Sequence, residues 1–367
     1  MKQPCLFISC VLPLFLMLVS MGHASETIIV TDMTDRQVTV PHDPGRIVCI
    51  GPGTLRLIVY LQAASKVVGV EDMEKMNPDG RPYWIAHQEL AKLPRCGPGG
   101  PAGINKKPDL EALLTVRPDV VFVTYMEAPL ADEVQRTLGI PVVVLSYGAF
   151  ATFDEAVYDA IGIAGKILNR EKRAHEVVAY IESLRKDMRA RTHMVPAEKK
   201  PTVYVGGIGY RGVRGIGSTE KSYIPFEWTG AKNIAERVEP TAGSHVIMGK
   251  ETLLKLNPDV IFIDGGGLML IKEDARKKPD YYRALKAVNT GQLYVLYPFN
   301  WYTTNIGTAL ADAYAIGKVL YGKQFDDIDL KQKADEIYTF LVGKPVYESM
   351  QHTIGPIGEN IRLADGN

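Results

Sequence analysis

Glu111-Ala-Leu-Leu-Thr-Val-Arg-Pro-Asp-Val-Val-Phe-Val123 returns 140 residues later as Glu251-Thr-Leu-Leu-Lys-Leu-Asn-Pro-Asp-Val-Ile-Phe-Ile263. Each copy starts as a short helix with an apolar pair on one face, is stopped by a proline turn, and runs into a wholly apolar strand of the kind buried on both faces. Each is therefore one α→β step of a parallel sheet, and the chain holds two similar α/β lobes in tandem. Two lobes that face each other make a cleft, and clefts between domains are where small ligands usually bind.

The same order of elements surrounds both copies. Thr27 to Val40 reads as a hairpin turning at Thr31-Asp-Met-Thr-Asp35, and Arg46 to Ile50 as a buried strand ending at Gly51-Pro-Gly53. A helix over Leu55–Leu61 and a strand over Lys66–Val70 follow. Residues 71–108 are rich in proline and glycine, the mark of a functional surface rather than a connector. A helix near Ala128 to Leu138 and a strand over Pro141–Leu145 complete the first lobe. The second restarts at Pro201-Thr-Val-Tyr-Val205, repeats the edge strand at Gln292–Leu296, and closes with helices over Gly307–Tyr321 and Leu330–Leu341. Between the lobes, Ala174, Val177, Val178, Ile181, Leu184 and Met188 recur at spacings of three and four. That pattern predicts an amphipathic helix of about six turns acting as a rod between the lobes. The fold class is thus α/β, two Rossmann-like lobes with parallel sheets joined by a long α-helix. The expected division is 1–24, 25–152, 153–195 and 196–367.

Residues 1–24 carry an early lysine, an apolar run from Leu6 to Val19 and a small-residue site at Gly22-His-Ala24, which reads as a cleavable secretory signal. A chain of 343 residues then remains, enough for two domains. Lys plus Arg equals Asp plus Glu at 42 each, with no basic stripe, which argues against nucleic acid as a partner. Of the four cysteines only Cys49 and Cys96 outlast the signal, and the sequence leaves open whether they pair.

Several motifs point away from catalysis. Gly207-Ile-Gly-Tyr-Arg-Gly212 fits a dinucleotide fingerprint, yet that site needs a helix starting at the third glycine, and here Gly215 and Gly217 continue a loop. The loop instead offers Tyr210, Arg211 and Arg214 to the cleft. No nucleophile elbow or zinc-binding helix is present, and the mature histidines are dispersed, so neither a catalytic set nor a preformed metal site is expected. Asp264-Gly-Gly-Gly267 ends a core strand and reads equally as a cleft-rim acid or a turn. Open α/β sheets bind ligands beyond their strands' carboxyl ends. That rule singles out Gly53, Thr54, Tyr125 and Tyr147 in the first lobe, and Trp301 and Tyr302 in Asn300-Trp-Tyr-Thr-Thr-Asn305 in the second. His245, on a Gly-Ser-His loop ahead of the second repeat, is a further candidate.

Arg46-Ile-Val-Cys-Ile-Gly-Pro-Gly53, Val67-Val-Gly-Val70, the paired Glu-x-Leu-Leu-x-x-x-Pro-Asp-Val units, Gly230-Ala-Lys-Asn-Ile-Ala235 and the Asn300-Trp-Tyr loop together resemble the helical-backbone substrate-binding proteins of ABC importers. Within that group the likeness is to the receptors for iron complexes, haem and cobalamin. The resemblance implies a periplasmic monomer that captures a small metal complex and delivers it, unaltered, to an ABC permease with its ATPase. A siderophore-type ferric chelate is the first expectation for the cargo; a corrinoid or haem is the alternative, and an exported enzyme the outlying one. No cofactor is implied beyond the cargo. Acids on each lobe that dock to permease arginines carry over to Glu111 and Glu251. Arg81, Tyr83, Tyr210, Arg211, Trp301 and Tyr302 become cargo contacts, since arginines neutralise anionic chelators and aromatic rings cover them. One departure stands out, because many relatives carry an acid where this chain has Arg56.

Overall fold

The computed structural model describes residues 26–76, 80–148, 153–209, 212–238 and 244–363. The expected signal segment lies outside them, as do Tyr210 and Arg211. A hairpin of β1 (Thr27–Thr31) and β2 (Gln37–Pro41) comes first. Its turn is built on Asp32, which accepts from the Thr34 and Arg36 amides through one oxygen and from the Val144 amide of the first sheet through the other.

Two four-stranded parallel sheets carry the rest. The first contains β3 (Ile47–Ile50), β4 (Val67–Gly69), β5 (Val120–Thr124) and β6 (Val142–Leu145) in the order β4-β3-β5-β6. Between the sheets in sequence, β7 (Thr202–Gly206) opens the second lobe, followed by β8 (Ser218–Glu220), β9 (Lys232–Asn233) and β10 (His245–Ile247). With β11 (Val260–Asp264) and β12 (Leu293–Leu296), the second sheet has the order β12-β11-β7-β9. Read from the opposite edge, this is the first order again, with β9, β7, β11 and β12 standing where β4, β3, β5 and β6 stand. The duplication seen in two motifs therefore extends to the whole sheet. β8 and β10 form an added antiparallel pair that, among the described residues, has no counterpart beside the first sheet.

What the repeated Pro-Asp does is visible in both copies. Helices Leu110–Val116 and Lys250–Leu256 end on left-handed residues, Arg117 at φ 46° and Asn257 at φ 40°. The aspartate then clips the turn to the first strand of its own lobe. Asp119 accepts the Arg46 amide at 2.8 Å and gives its own amide to the Arg46 carbonyl at 2.7 Å. Asp259 does the same with Thr202, at 2.8 and 2.9 Å. Each motif thus sets the register between the central strand of its sheet and the neighbour that starts the lobe.

Helix Glu171–Thr192, at 22 residues, is about 33 Å long. Its buried face, Ala174, Val177, Ile181, Leu184 and Met188, packs on helix Ala156–Ile167 of the first lobe and on helices Ile224–Thr229 and Ile306–Leu320 of the second. The crossing is close: a Cβ on Gly165 would lie 2.7 Å from the Ala174 Cβ. Arg185 reaches out of this helix to Glu155, with its guanidinium over the Phe153 and Trp228 rings, and Tyr180 stacks on Phe340 at 3.9 Å. The helix is therefore cemented to both lobes along its length.

Cys49 and Cys96 are buried and unbridged, so the pairing that the sequence left open is not made. Among the described residues, no helix is long and apolar enough to cross a membrane.

Burial works against the Asp259 charge, but hydrogen bonds from Lys286 and Thr202 outweigh it and hold the carboxyl down at about 2. Its tether is then present above the unfolded value near 4 and is lost as pH falls through about 2. Asp259→Ala should cost about 1–2 kcal/mol in urea unfolding at pH 7. The gap between variant and parent should close on titration from about pH 4 to pH 2, and equal stability at pH 7 would show the tether to be idle.

Candidate ligand-binding cleft

The carboxyl ends of both sheets converge on one seam. On the first-lobe side, β3 runs into two left-handed glycines, Gly51 at φ 88° and Gly53 at φ 81°. A Cβ on Gly53 would come within 2.6 Å of both Tyr147 and Thr303, so this backbone lies directly against the opposite lobe. Thr54 donates from its hydroxyl to the Ile50 carbonyl at 2.7 Å and lies 3.0 Å from the Thr124 hydroxyl. The Tyr147 hydroxyl donates to the Gly53 carbonyl at 3.0 Å. Tyr125, half-buried and left-handed at φ 54°, follows β5 directly. Gly53, Thr54, Tyr125 and Tyr147 are thus brought together, as the strand-end rule expects.

The facing wall is the segment after β12. Its backbone carries two successive left-handed residues that are not glycine, Tyr302 at φ 51° and Thr303 at φ 63°. Such conformations are costly and persist only when neighbours enforce them. The enforcement comes from the other lobe. Arg56, fully buried on helix Thr54–Tyr60, donates to the carbonyls of Thr304 at 2.7 Å, Trp301 at 2.9 Å and Tyr302 at 3.1 Å. The Tyr302 hydroxyl donates to Glu71 at 2.7 Å and accepts the Gly100 amide at 3.1 Å. Glu71 in turn accepts the Gly51 amide at 3.0 Å, which joins the glycine turn to the same network. Further along the seam, His87 meets the Val342 carbonyl at 3.1 Å and Lys344 donates to the Ala86 carbonyl.

Two sequence candidates serve the fold more than they serve the cleft. Arg81 is completely buried, pairs with Glu74 at 3.0 Å and donates to the carbonyls of Met73, Glu74 and Met76. Tyr83 gives its hydroxyl to the same Glu74 oxygen at 2.5 Å. The glycine- and proline-rich stretch is organised around this buried acid, and Glu74 already takes up the polar ends expected to meet cargo. Arg81 still borders the seam, since its guanidinium lies 5.7 Å from the Trp301 ring. Trp301 is half-buried, and among the described residues its indole N–H has no hydrogen-bond partner.

His245 sits on β10 rather than on a free loop, half-buried and 2.9 Å from the Ser218 hydroxyl. Burial lowers its pKa, and the charge of Arg214 adds to the effect. Opposite it in register stands Glu220, completely buried, which accepts from the Asn300 side chain at 3.1 Å. Glu220, Asp264 and Asp312 form an acidic patch beneath the second lobe's strand ends, where Asp264 caps the Gly266 amide and Asp312 accepts the Tyr297 amide. Asp264 therefore makes its own turn, as one of its two sequence readings has it. No three His, Cys, Asp or Glu side chains among the described residues are placed to hold a metal ion. Glu111 and Glu251 are both exposed, one in the first turn of each tethered repeat helix.

Paired lobes, a connecting helix packed on both and a closed seam at the strand ends are the features a two-lobed binding protein shares with this chain. The chain belongs to the periplasmic binding protein family, whose model matches residues 47–298. It is 25% identical over 334 residues to the molybdate-binding protein MolA of Haemophilus influenzae, covering 84% of this chain and 89% of that one. The solved structure of MolA with molybdate bound superposes with a TM-score of 0.67 at 23% identity, over 87% of this chain and 98% of that one. A periplasmic solute binding protein from Veillonella parvula superposes with a TM-score of 0.70 at 20% identity, over 90% and 97% of the two chains. A third relative, an ABC transporter substrate-binding lipoprotein of Bacillus subtilis, is 24% identical over 271 residues, 73% of this chain and 78% of that one. The MolA and Bacillus subtilis relatives are described as binding proteins of ABC transporters and the Veillonella parvula one as a periplasmic solute binding protein, and membership of the family places the chain outside the cytoplasm.

Two seam residues escaped the sequence reading as site residues. Arg56 had a signal, being the one charge in the apolar run Leu55–Leu61. Glu71 had none, because its partner Tyr302 is 231 positions away.

Burial pushes Glu71 up to about 7, with Glu74 and Asp72 adding to the shift against the hydrogen bonds from Tyr302 and Gly51. Burial likewise lifts Glu220 to about 8, with help from Asp264, and Asp264 itself to about 7. Each holds a proton in the folded chain that the unfolded chain releases near pH 4, so its stabilisation is whole below that value and is lost as pH rises through 7 to 8. The melting temperature should therefore fall by several degrees between about pH 5.5 and pH 8. A flat or rising profile by calorimetry would contradict this account.

Proposed function

We propose that this chain is the periplasmic receptor of an ABC importer, exported through a cleaved signal over residues 1–24 and acting as a monomer. It takes a small anionic metal species between its lobes and hands it to an inner-membrane permease powered by an ATPase. The observation that carries this reading is the seam itself, where a buried arginine and a set of tyrosines from one lobe meet a strained, tryptophan-bearing segment of the other. Such a surface neutralises an anion and covers its apolar faces.

A siderophore-type ferric chelate is the first reading for the cargo, since aromatic and basic groups border the seam together. A compact metal oxyanion is the second. It is favoured by the likeness to a molybdate-binding relative over most of the chain, and by the direct lobe-to-lobe hydrogen bonding around Arg56, which suits a small guest better than a bulky one.

Purified mature protein should quench saturably in tryptophan fluorescence, through Trp301 in the seam and Trp84 beside Arg81, when titrated with a ferric catecholate or with sodium molybdate. Failure of both, together with no co-purifying ligand by mass spectrometry, would remove the anion-receptor reading.

Glu111 and Glu251 occupy equivalent, exposed places on the two lobes, suited to arginines at a two-subunit pore entrance. Glu111→Ala with Glu251→Ala should leave ligand affinity intact and lower uptake in a reconstituted importer by about tenfold or more. Normal uptake by the folded double variant would reject this docking assignment.

A further inference from the structure

Arg56 is in no salt bridge among the described residues: Glu74, a carboxylate whose charge reaches it, is paired with Arg81 instead. Every other residue of helix Thr54–Tyr60 is buried too, and the neighbours Leu55, Leu57, Ile58 and Val59 are apolar. Guanidinium groups in such places are usually met by a carboxylate or another oxyanion, in paired, parallel hydrogen bonds. Here the acceptors are three backbone carbonyls, from Trp301, Tyr302 and Thr304, with the Tyr147 hydroxyl at 3.5 Å. Among the described residues, Nε has no partner at all. The carbonyls come from the other lobe, on a segment held in the left-handed region at Tyr302 and Thr303. They are neutral acceptors, fewer than the guanidinium can use, supplied by a strained backbone.

We propose that Arg56 is the group that recognises anionic, oxygen-bearing cargo, and that the Trp301–Thr304 carbonyls compete with the cargo for it. Binding exchanges three carbonyl oxygens for cargo oxygens and lets the segment relax from its left-handed conformation. The Tyr302 bond to Glu71 is the second anchor of the same segment, so it opposes cargo even though it never touches Arg56. This inference rests on the receptor reading above and names its specificity-determining residue. It also makes a prediction of unusual sign. If a competing conformation must be displaced, observed affinity is the intrinsic affinity scaled by the fraction of molecules with the segment released. Weakening the second anchor should tighten binding.

The test is calorimetric titration of the full mature chain with sodium molybdate and, separately, with a ferric catecholate. Parent, Arg56→Lys, Arg56→Gln and Tyr302→Phe are compared, each with a circular-dichroism melt. Arg56→Lys should weaken whichever anion binds by about tenfold, because a point charge replaces a planar fork, and Arg56→Gln by about a hundredfold. Tyr302→Phe should strengthen it by roughly threefold to tenfold. If Arg56→Gln does not fold, the lysine and phenylalanine variants still decide. Unchanged affinity in Arg56→Lys, or weaker binding in Tyr302→Phe, overturns the inference while leaving the receptor reading in place. A parent protein that binds neither anion overturns both.

Discussion

A guanidinium removed from water must be supplied with oxygen atoms, and much of this molecule is arranged around that obligation at Arg56. The donors lie on the first lobe and the carbonyl acceptors on the second, so parting the two halves strips Arg56 of three hydrogen bonds that water or another oxygen-bearing partner must then replace. The left-handed backbone at Tyr302 and Thr303, the glycine at position 53 that admits Thr303, and the Glu71 bond to Tyr302 all follow from bringing those carbonyls to that side chain. Each would be hard to explain alone. Together they describe one contact and what is needed to hold it.

Duplication supplies the frame in which this contact sits. Strand order, tethered helix turns and exposed glutamates recur in both lobes, because they are set by short-range geometry that a copied segment carries with it. The seam does not recur. Among the described residues, the buried arginines that belong to a lobe, Arg56 and Arg81, both lie in the first, whereas Glu220, Asp264 and Asp312 are buried in the second. Symmetry therefore governs the scaffold and the placement of the two exposed glutamates, while asymmetry governs what lies between the lobes.

Much of the scaffold was legible in the sequence, and the reason is locality. Helix Ala128–Leu138 has the bounds its periodicity and glycine stop give, and the buried strands fall on apolar runs that start after a Pro-Asp turn or end in glycine. The long connecting helix was equally plain from its spacing of three and four. Strand-end positions such as Gly53, Tyr125 and Tyr147 were found by a topological rule that needs only the order of elements. What could not be read depends on distance across the chain. Arg81 and Tyr83 looked like ligand contacts because of their residue types, and only the position of Glu74 shows where their polar atoms go. The aspartates of the repeats read as turn formers, although their larger task is to pin a strand more than fifty residues away. The β8–β10 pair joins two three-residue strands with helix Ile224–Thr229 and β9 between them, too short to show an alternating pattern.

Cys49 and Cys96 lie in the core as free thiols, in a chain whose family works where disulfides form readily. Cys49 is shielded only once β3 is paired with β5, whose residues come some seventy positions later. A newly exported chain is thus in a race between sheet assembly and oxidation by the surrounding machinery. Burial wins it lastingly, since the desolvated thiol is held well above its ordinary pKa and loses its nucleophilic form.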